Sequence, residues 1–170
     1  MDEAKRLIAL LTERGKTLVT AESCTGGLLG AMLTEVPGAS KVYLGGIISY
    51  AYELKEQCLG VDHALLEEKG AICAEVARQM AEGAREKLHA DYALAVTGNA
   101  GPATDPMNPN VGEIYIACAD FCGCTVSRLD LRGDRNQNRL DACKESLKQG
   151  YFKLRGVEPD SLSATLLRSF

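Results

Sequence analysis

The run Thr20-Ala21-Glu22-Ser23-Cys24-Thr25-Gly26-Gly27 sets a serine and a cysteine in a small, hydroxyl-rich, glycine-flanked turn. The apolar stretch Thr17-Leu18-Val19 precedes it and the amphipathic run from Leu28 to Val36 follows it. The turn therefore falls where a strand hands over to a helix. Backbone N–H groups at a helix start lack intrahelical partners, and the helix dipole adds partial positive charge there. Two readings follow. The turn can simply cap its helix, as serine and threonine do generally. It can instead hold an anion, or present a nucleophile beside oxyanion donors. Ser23 and Cys24 compete for that nucleophilic role. A cysteine at a helix N-terminus can be reactive, but no histidine is expected nearby to pair with it. This favours Ser23, with Cys24 as a backbone donor or packing residue.

A nucleophilic serine needs a base. The chain has two histidines. His63 opens a helix in a pattern typical of a surface turn, and His89 closes a long helix, where its charge suits the dipole. A Ser-His-Asp triad is not expected. A lysine can replace histidine when burial lowers its pKa toward neutrality. Lys55 is the natural choice, because it follows an apolar strand and stands close to Tyr50 and Tyr52. Read alone, a lysine on a short helix is a solvated surface charge. Arg135 and Arg139 lie one helical turn apart and share a face. Arg135, next to Gly133, could reach a phosphate or carboxylate bidentately. A Walker-type phosphate loop is absent, and Gly26-Gly27 and Gly45-Gly46 are too short for a dinucleotide fingerprint.

The elements that must position these residues are legible in outline. Leu7, Ile8, Leu10 and Leu11 mark a first helix ending near Gly15. Thr17 to Thr20 reads as a strand. Leu28 to Val36 reads as a helix stopped by Pro37-Gly38, and Tyr43 to Tyr50 as a strand. Short helices are expected over Glu53 to Cys58 and Asp62 to Lys69, then a long alanine-rich helix over Glu75 to His89. Tyr92 to Thr97 is a nearly continuous apolar strand of the kind buried on both faces. A Gly, Pro and Asn-rich loop spans Gly98 to Asn110. Val111 to Ala119 and Thr125 to Leu131 alternate like paired strands around a turn near Gly123, and a last helix opens at Gly133-Asp134-Arg135. This alternation predicts an α/β layered domain with an antiparallel portion. Ligands gather at strand C-terminal ends in such sheets, so the loops at Glu22 to Thr25, Tyr50 to Lys55, Thr97 to Asn99 and Arg132 to Arg135 are expected to converge.

Size and composition set bounds. The 170 residues, 46% hydrophobic and 25% charged, suit one soluble domain with a sizeable core. A net charge of −4 gives no nucleic-acid footprint. No apolar run approaches a membrane span, and the N-terminus lacks the apolar core of a signal peptide, so a cytoplasmic location is expected. Seven cysteines, an odd number, argue against a disulfide framework. Cys118, Cys122 and Cys124 cluster, but nothing complements them as a zinc site. They read as a strand cysteine and two residues flanking a hairpin.

Taken in order, these pieces resemble the CinA C-terminal domain family, whose members include nicotinamide-nucleotide amidases. The matching segments are TAESCTGG at Thr20 to Gly27, GGIISYAYELK at Gly45 to Lys55, VTGNAGP at Val96 to Pro102, VGEIYIA at Val111 to Ala117 and GDR at Gly133 to Arg135. The resemblance runs from the first helix to about Leu154. It implies a three-layer α/β/α sandwich, with a mixed sheet and an antiparallel hairpin, that hydrolyses the carboxamide of nicotinamide mononucleotide to the acid and ammonia. No metal or organic cofactor is implied. Carried over, Ser23 is the nucleophile and Lys55 its base, with the Tyr50 hydroxyl relaying or orienting the proton. Cys24, Thr25 and Gly26 at the turn, with Thr97, Gly98 and Arg135, are implied to bind substrate: amides near Cys24 and Thr25 serve the oxyanion and Arg135 holds the nucleotide phosphate. A homodimer is also implied.

The pattern is broken at Tyr52, where the family usually carries a small polar residue, and at Asn99, where it usually carries an aliphatic one. It is broken again over Ala103 to Asn110, which replaces a glycine-rich, lysine-bearing loop. Amide hydrolysis on a different small amide, or a non-catalytic nucleotide- or partner-binding module, are the alternatives those departures raise. The larger N-terminal domain of some relatives is not in this sequence, so a stand-alone domain over 1–156 is expected. The stretch 157–170 is expected as a tail, either a docked helix or a partner-binding arm.

Overall fold

The computed structural model describes residues 3–157. The expected tail at 157–170 lies outside the described residues, apart from Val157. Five strands form one sheet: β1 (Leu18–Glu22), β2 (Tyr43–Ile48), β3 (Tyr92–Gly98), β4 (Glu113–Asp120) and β5 (Gly123–Asp130). Their spatial order is β2-β1-β3-β4-β5. β1 runs parallel to both β2 and β3, whereas the β3–β4 and β4–β5 pairs are antiparallel. The helices are α1 (Glu3–Arg14), α2 (Leu28–Thr34), α3 (Tyr52–Leu59), α4 (His63–Lys69), α5 (Ala74–Lys87) and α6 (Arg135–Arg155). The fold is the expected three-layer α/β/α sandwich. Among the described residues no helix is long and apolar enough to cross a membrane.

The two faces of the sheet differ in side-chain size, and the period-2 alternation of the strands is the cause. Leu94 and Val96 of β3, with Ile114, Ile116 and Cys118 of β4, face one side. They pack there on Leu7 and Leu11 of α1, Leu29 and Leu33 of α2, and Cys143 and Leu147 of α6. Ala93 and Ala95, with Ala117 and Ala119, face the other side and meet Val76, Ala77, Met80, Ala81 and Ala84 of α5. Alanine against alanine brings α5 close to the sheet. Gly83, on the same helix, does the equivalent for α3: a Cβ there would sit 1.8 Å from the Leu59 carbonyl oxygen. The α3 helix is thus seated through its last residue against α5.

The chain path creates a crevice. From β1 the chain crosses through α2 on one face to reach β2. It then returns through α3, α4 and α5 on the other face to β3, which lies on the opposite side of β1. Strand order reverses at β1, and open α/β sheets bind ligands outside the carboxyl ends of strands at such a point. The C-terminal ends of β1, β2, β3 and β5 all lie at this edge.

Candidate active site

A cavity of about 260 Å³ opens at this edge, slightly below the usual range for small-molecule sites. Its lining comes from the loops after β1, β2 and β3, from the start of α6, and from Ala71 and Ile72 between α4 and α5. The four loops expected to converge do converge. The contribution from Ala71 and Ile72 was not foreseen, because it follows a helix rather than a strand.

Lys55 lies at the base of the cavity and is fully buried. Its ammonium Nζ donates to Ser23 Oγ at 3.0 Å and to the carbonyl oxygens of Ser49 and Tyr50. Burial penalises its charge and draws its pKa from 10.5 down to about 8. The reading of Lys55 as a solvated surface residue is overturned. Cys24 lines the cavity too, but burial pushes its thiol up to about 12. At neutral pH it is a thiol and not a thiolate, so Ser23 is the better placed nucleophile.

The start of α2 is organised differently from the sequence-based expectation. Ser23 does not cap the helix, and Gly27 at the cap position offers no side chain. The cap comes from Glu22. Its buried carboxylate accepts from the amides of Gly27, Leu29 and Gly30 at 2.9, 3.0 and 2.8 Å. The anion favoured at this helix start is therefore the protein's own, and substrate phosphate is excluded from it. The strand, extended to Glu22 rather than ending at Thr20, aims that side chain across the turn. A lone acid in an otherwise apolar strand was the signal for it.

With Glu22 serving α2, the preceding turn is left to the cavity. The Ser23 amide donates to the Val96 carbonyl, the Gly26 amide to the Ser23 carbonyl and the Leu28 amide to the Thr25 carbonyl. Among the described residues no backbone acceptor takes the amides of Cys24 and Thr25. Arg139 clamps the turn from behind, its Nε on the Cys24 carbonyl at 3.1 Å and its Nη2 on the Thr25 carbonyl at 2.9 Å. Thr25 and Gly26, expected at the substrate, do not line the cavity. Thr25 is fully buried within the turn.

Tyr50 also departs from its expected role. Its backbone carbonyl accepts from Lys55, while its hydroxyl accepts from Arg135 Nη2 at 3.2 Å. The phenol is 59% exposed and partners the arginine at the rim rather than the Ser23–Lys55 pair. Arg135 also donates to the Gly101 carbonyl at 2.7 Å, so two contacts aim it at the mouth. Thr97 and Gly98 line the wall. The Thr97 hydroxyl donates to the Ala71 carbonyl at 2.8 Å. At Gly98 a Cβ would lie 2.5 Å from the Ile114 Cα, so only glycine allows β3 and β4 to close there. Neither histidine lines the cavity; His63 pairs with Glu56 at 2.9 Å on the surface.

Tyr52 and Asp105 line the cavity and were not singled out as site residues from the sequence. The Tyr52 hydroxyl accepts from the Ala71 amide at 3.0 Å and donates to Asp105 Oδ2 at 2.5 Å. Asn99 holds the other side of the same loop. Its Oδ1 accepts from the Asp105 amide at 2.9 Å, and its Nδ2 donates to the carbonyls of Asn108 and Asn110 at 2.8 and 3.2 Å. The positions where the chain departs from the family pattern thus bond to one another.

An α/β/α domain with a buried serine–lysine pair at its strand-order reversal is the class of protein that fold and site define. The chain belongs to the CinA C-terminal domain family, whose profile matches residues 2–151. A CinA-like protein from Geobacter sp. strain M21 is 45% identical over 91% of this chain and 38% of its own length. A second, from Geobacter sulfurreducens, is 49% identical over 76% of this chain and 32% of its own length. The chain spans well under half of these curated relatives. Among solved structures, the competence/damage-inducible protein CihA from Agrobacterium tumefaciens superposes with a TM-score of 0.86 at 34% identity, over 91% of this chain and 94% of that one. A CinA superfamily protein from Klebsiella pneumoniae gives a TM-score of 0.88 at 27% identity, over 91% of this chain and 97% of that one.

Proposed function

We propose that this chain is an amidase that hydrolyses the carboxamide of nicotinamide mononucleotide, giving nicotinic acid mononucleotide and ammonia. The observation that carries the reading is the 3.0 Å contact between Ser23 Oγ and a fully buried Lys55 whose pKa lies near 8. A general base works best when its pKa is close to the working pH and it is within hydrogen-bond reach of its proton.

Neutral Lys55 takes the Ser23 proton as Oγ attacks the amide carbon. The carbonyl electron pair moves onto oxygen, and the Cys24 amide, at the cavity wall and without a backbone acceptor among the described residues, is the donor available to it. Lys55 then gives its proton to the leaving nitrogen as the carbon–nitrogen bond breaks, releasing ammonia and leaving an ester on Ser23. Water, deprotonated by Lys55, attacks the ester. The Ser23–acyl bond breaks, Ser23 regains its proton, and the acid departs. Arg135 takes the phosphate end, since it keeps guanidinium N–H groups beyond those given to Gly101 and Tyr50.

The test is ammonia release from nicotinamide mononucleotide by the purified chain. Ser23→Ala and Lys55→Ala should each abolish it. Turnover retained in both variants would discard the mechanism. A second reading, hydrolysis of a different small amide, draws on the wall built by Tyr52, Asn99 and Asp105. It requires a better substrate than the mononucleotide in a panel of amides, still dependent on Ser23.

A further inference from the structure

The most distinctive feature of the cavity is that its wall carries a carboxylate. Once Lys55 acts as a neutral base, the two persistent charges lining the cavity are Arg135 and Asp105. They hang from different supports: Arg135 from Tyr50 and Gly101, Asp105 from Tyr52 and Asn99. The orientation of the Tyr52 hydroxyl is fixed by chemistry. An amide N–H can only donate, so the bond from Ala71 makes the phenol oxygen an acceptor and sends its single proton to Asp105. The Ala71 carbonyl is held in turn by Thr97. Asp105 Oδ1 also accepts from the Met107 amide at 2.9 Å.

Asp105 is thus fixed at both ends without a cation in salt-bridge contact among the described residues. Its carboxylate accepts from the Tyr52 hydroxyl and the Met107 amide, its own amide donates to Asn99 Oδ1, and it forms no salt bridge among the described residues. A carboxylate has about four acceptor positions, so two neutral donors leave capacity for a ligand. Its field reaches the base of the cavity, where its attraction favours the charged form of Lys55. A rigid, unneutralised carboxylate on a cavity wall rewards a cation and penalises an anion.

We infer that Asp105, held by Tyr52 and Asn99, is a specificity-determining residue that selects substrates carrying a positive charge close to the scissile amide, with Arg135 taking an anionic group further out. This rests on the amidase reading above. It assigns the ligand a zwitterionic class, a cationic ring carboxamide bearing a distant phosphate.

The test compares two ligands alike in amide, ribose and phosphate: nicotinamide mononucleotide, whose ring is cationic, and its reduced dihydro form, whose ring is neutral. Affinities are measured by calorimetry in a Ser23→Ala background, so that neither ligand turns over. Asp105→Asn keeps size and one acceptor oxygen but removes the charge; its NH₂ then faces the Tyr52 hydroxyl or the Met107 amide, a local disturbance that bears on both ligands alike. The substitution should weaken the cationic ligand by about tenfold and change the neutral one by less than about twofold. Tyr52→Phe keeps the charge and should retain the discrimination. Equal weakening of both ligands by Asp105→Asn, or loss of discrimination in Tyr52→Phe as well, would assign the effect to loop folding and overturn the inference. The two readings separate cleanly. Charge discrimination without ammonia release in the Ser23 protein overturns only the amidase reading. Ammonia release with a charge-blind Asp105→Asn overturns only the role of Asp105.

Discussion

Lys55 Nζ and Ser23 Oγ lie 3.0 Å apart at the base of the cavity, although 32 positions separate them in the chain. Burial holds the lysine near 8, and the reaction needs its neutral form. Amidase activity should therefore rise with pH along a limb centred near 8 and level off above it. A kcat/KM profile checks this. A flat profile between pH 6 and 9 would remove Lys55 as the base.

The same shift makes Lys55 a stability liability. Its folded pKa is lowered from 10.5 to about 8, so the unfolded chain binds more protons between those values. The penalty is fully present below about 8, and stability rises as pH climbs from there toward 10.5. The size is about 3 kcal/mol at pH 7, reduced by the bonds to Ser49 and Tyr50. Lys55→Met should be inactive, yet unfold at equal or higher urea than the natural chain at pH 7, with the advantage shrinking as pH approaches 10.5. A clearly lower midpoint at pH 7 would contradict the account.

Cys24 stands beside the nucleophile but is buried and held as a thiol by its environment. Alkylation at neutral pH should mark the exposed Cys122 first and leave Cys24 unmodified, with activity retained. Mass spectrometry of the alkylated protein, alongside its turnover, gives the answer. Activity lost in step with Cys24 labelling would transfer the nucleophilic role to it.

Glu22 accepts three backbone amides at the head of α2. In Glu22→Gln the new NH₂ must face an N–H donor in either flip. The loss should be about 2–3 kcal/mol, because the bonds are to a buried charge. Urea unfolding measures it, and a loss under about 0.5 kcal/mol would mean that the turn is held by other contacts.

Gly83 tests the seating of α3. Alanine in a helix gains about 1 kcal/mol of propensity over glycine. Here its Cβ would meet the Leu59 carbonyl oxygen at 1.8 Å, and backbone cannot swing aside as a side chain can. Overpacking costs about 1–3 kcal/mol, so the sum favours destabilisation. Activity should also fall, because Leu59 ends the helix that carries Lys55. A more stable, fully active Gly83→Ala would refute the packing argument.

Much of the fold was legible because periodicity is local. The apolar run Tyr92 to Thr97 announced a strand buried on both sides, and β3 is that strand. The helix starts at Asp62 and near Asp134 were placed from the sequence, and both side chains accept from their helices. Strand β1 was cut short at Thr20 because Glu22 looks like turn chemistry. A carboxylate is tolerated in a buried strand end only when donors arrive from elsewhere, and those donors belong to α2. Local pattern could not supply them. Arg139 was missed for the same reason: the sequence shows only that it shares a helical face with Arg135, and the turn it clamps comes from far along the chain.

By itself the sequence determined which residues could do chemistry: a serine in a glycine-flanked turn, a lysine after a strand, an arginine at a helix start, and few histidines to compete with them. It also determined the layers, since alternation and helical period are properties of neighbours in the chain. Only the tertiary structure decided what each residue meets. It buried Lys55 and so lowered its proton affinity. It turned the Tyr50 hydroxyl toward Arg135 and gave the helix start to Glu22. It joined Tyr52, Asn99 and Asp105 into one wall. Hydrogen bonds and desolvation depend on distances in space, and those are set by how α3, the loop after β3 and α6 close around the end of the sheet.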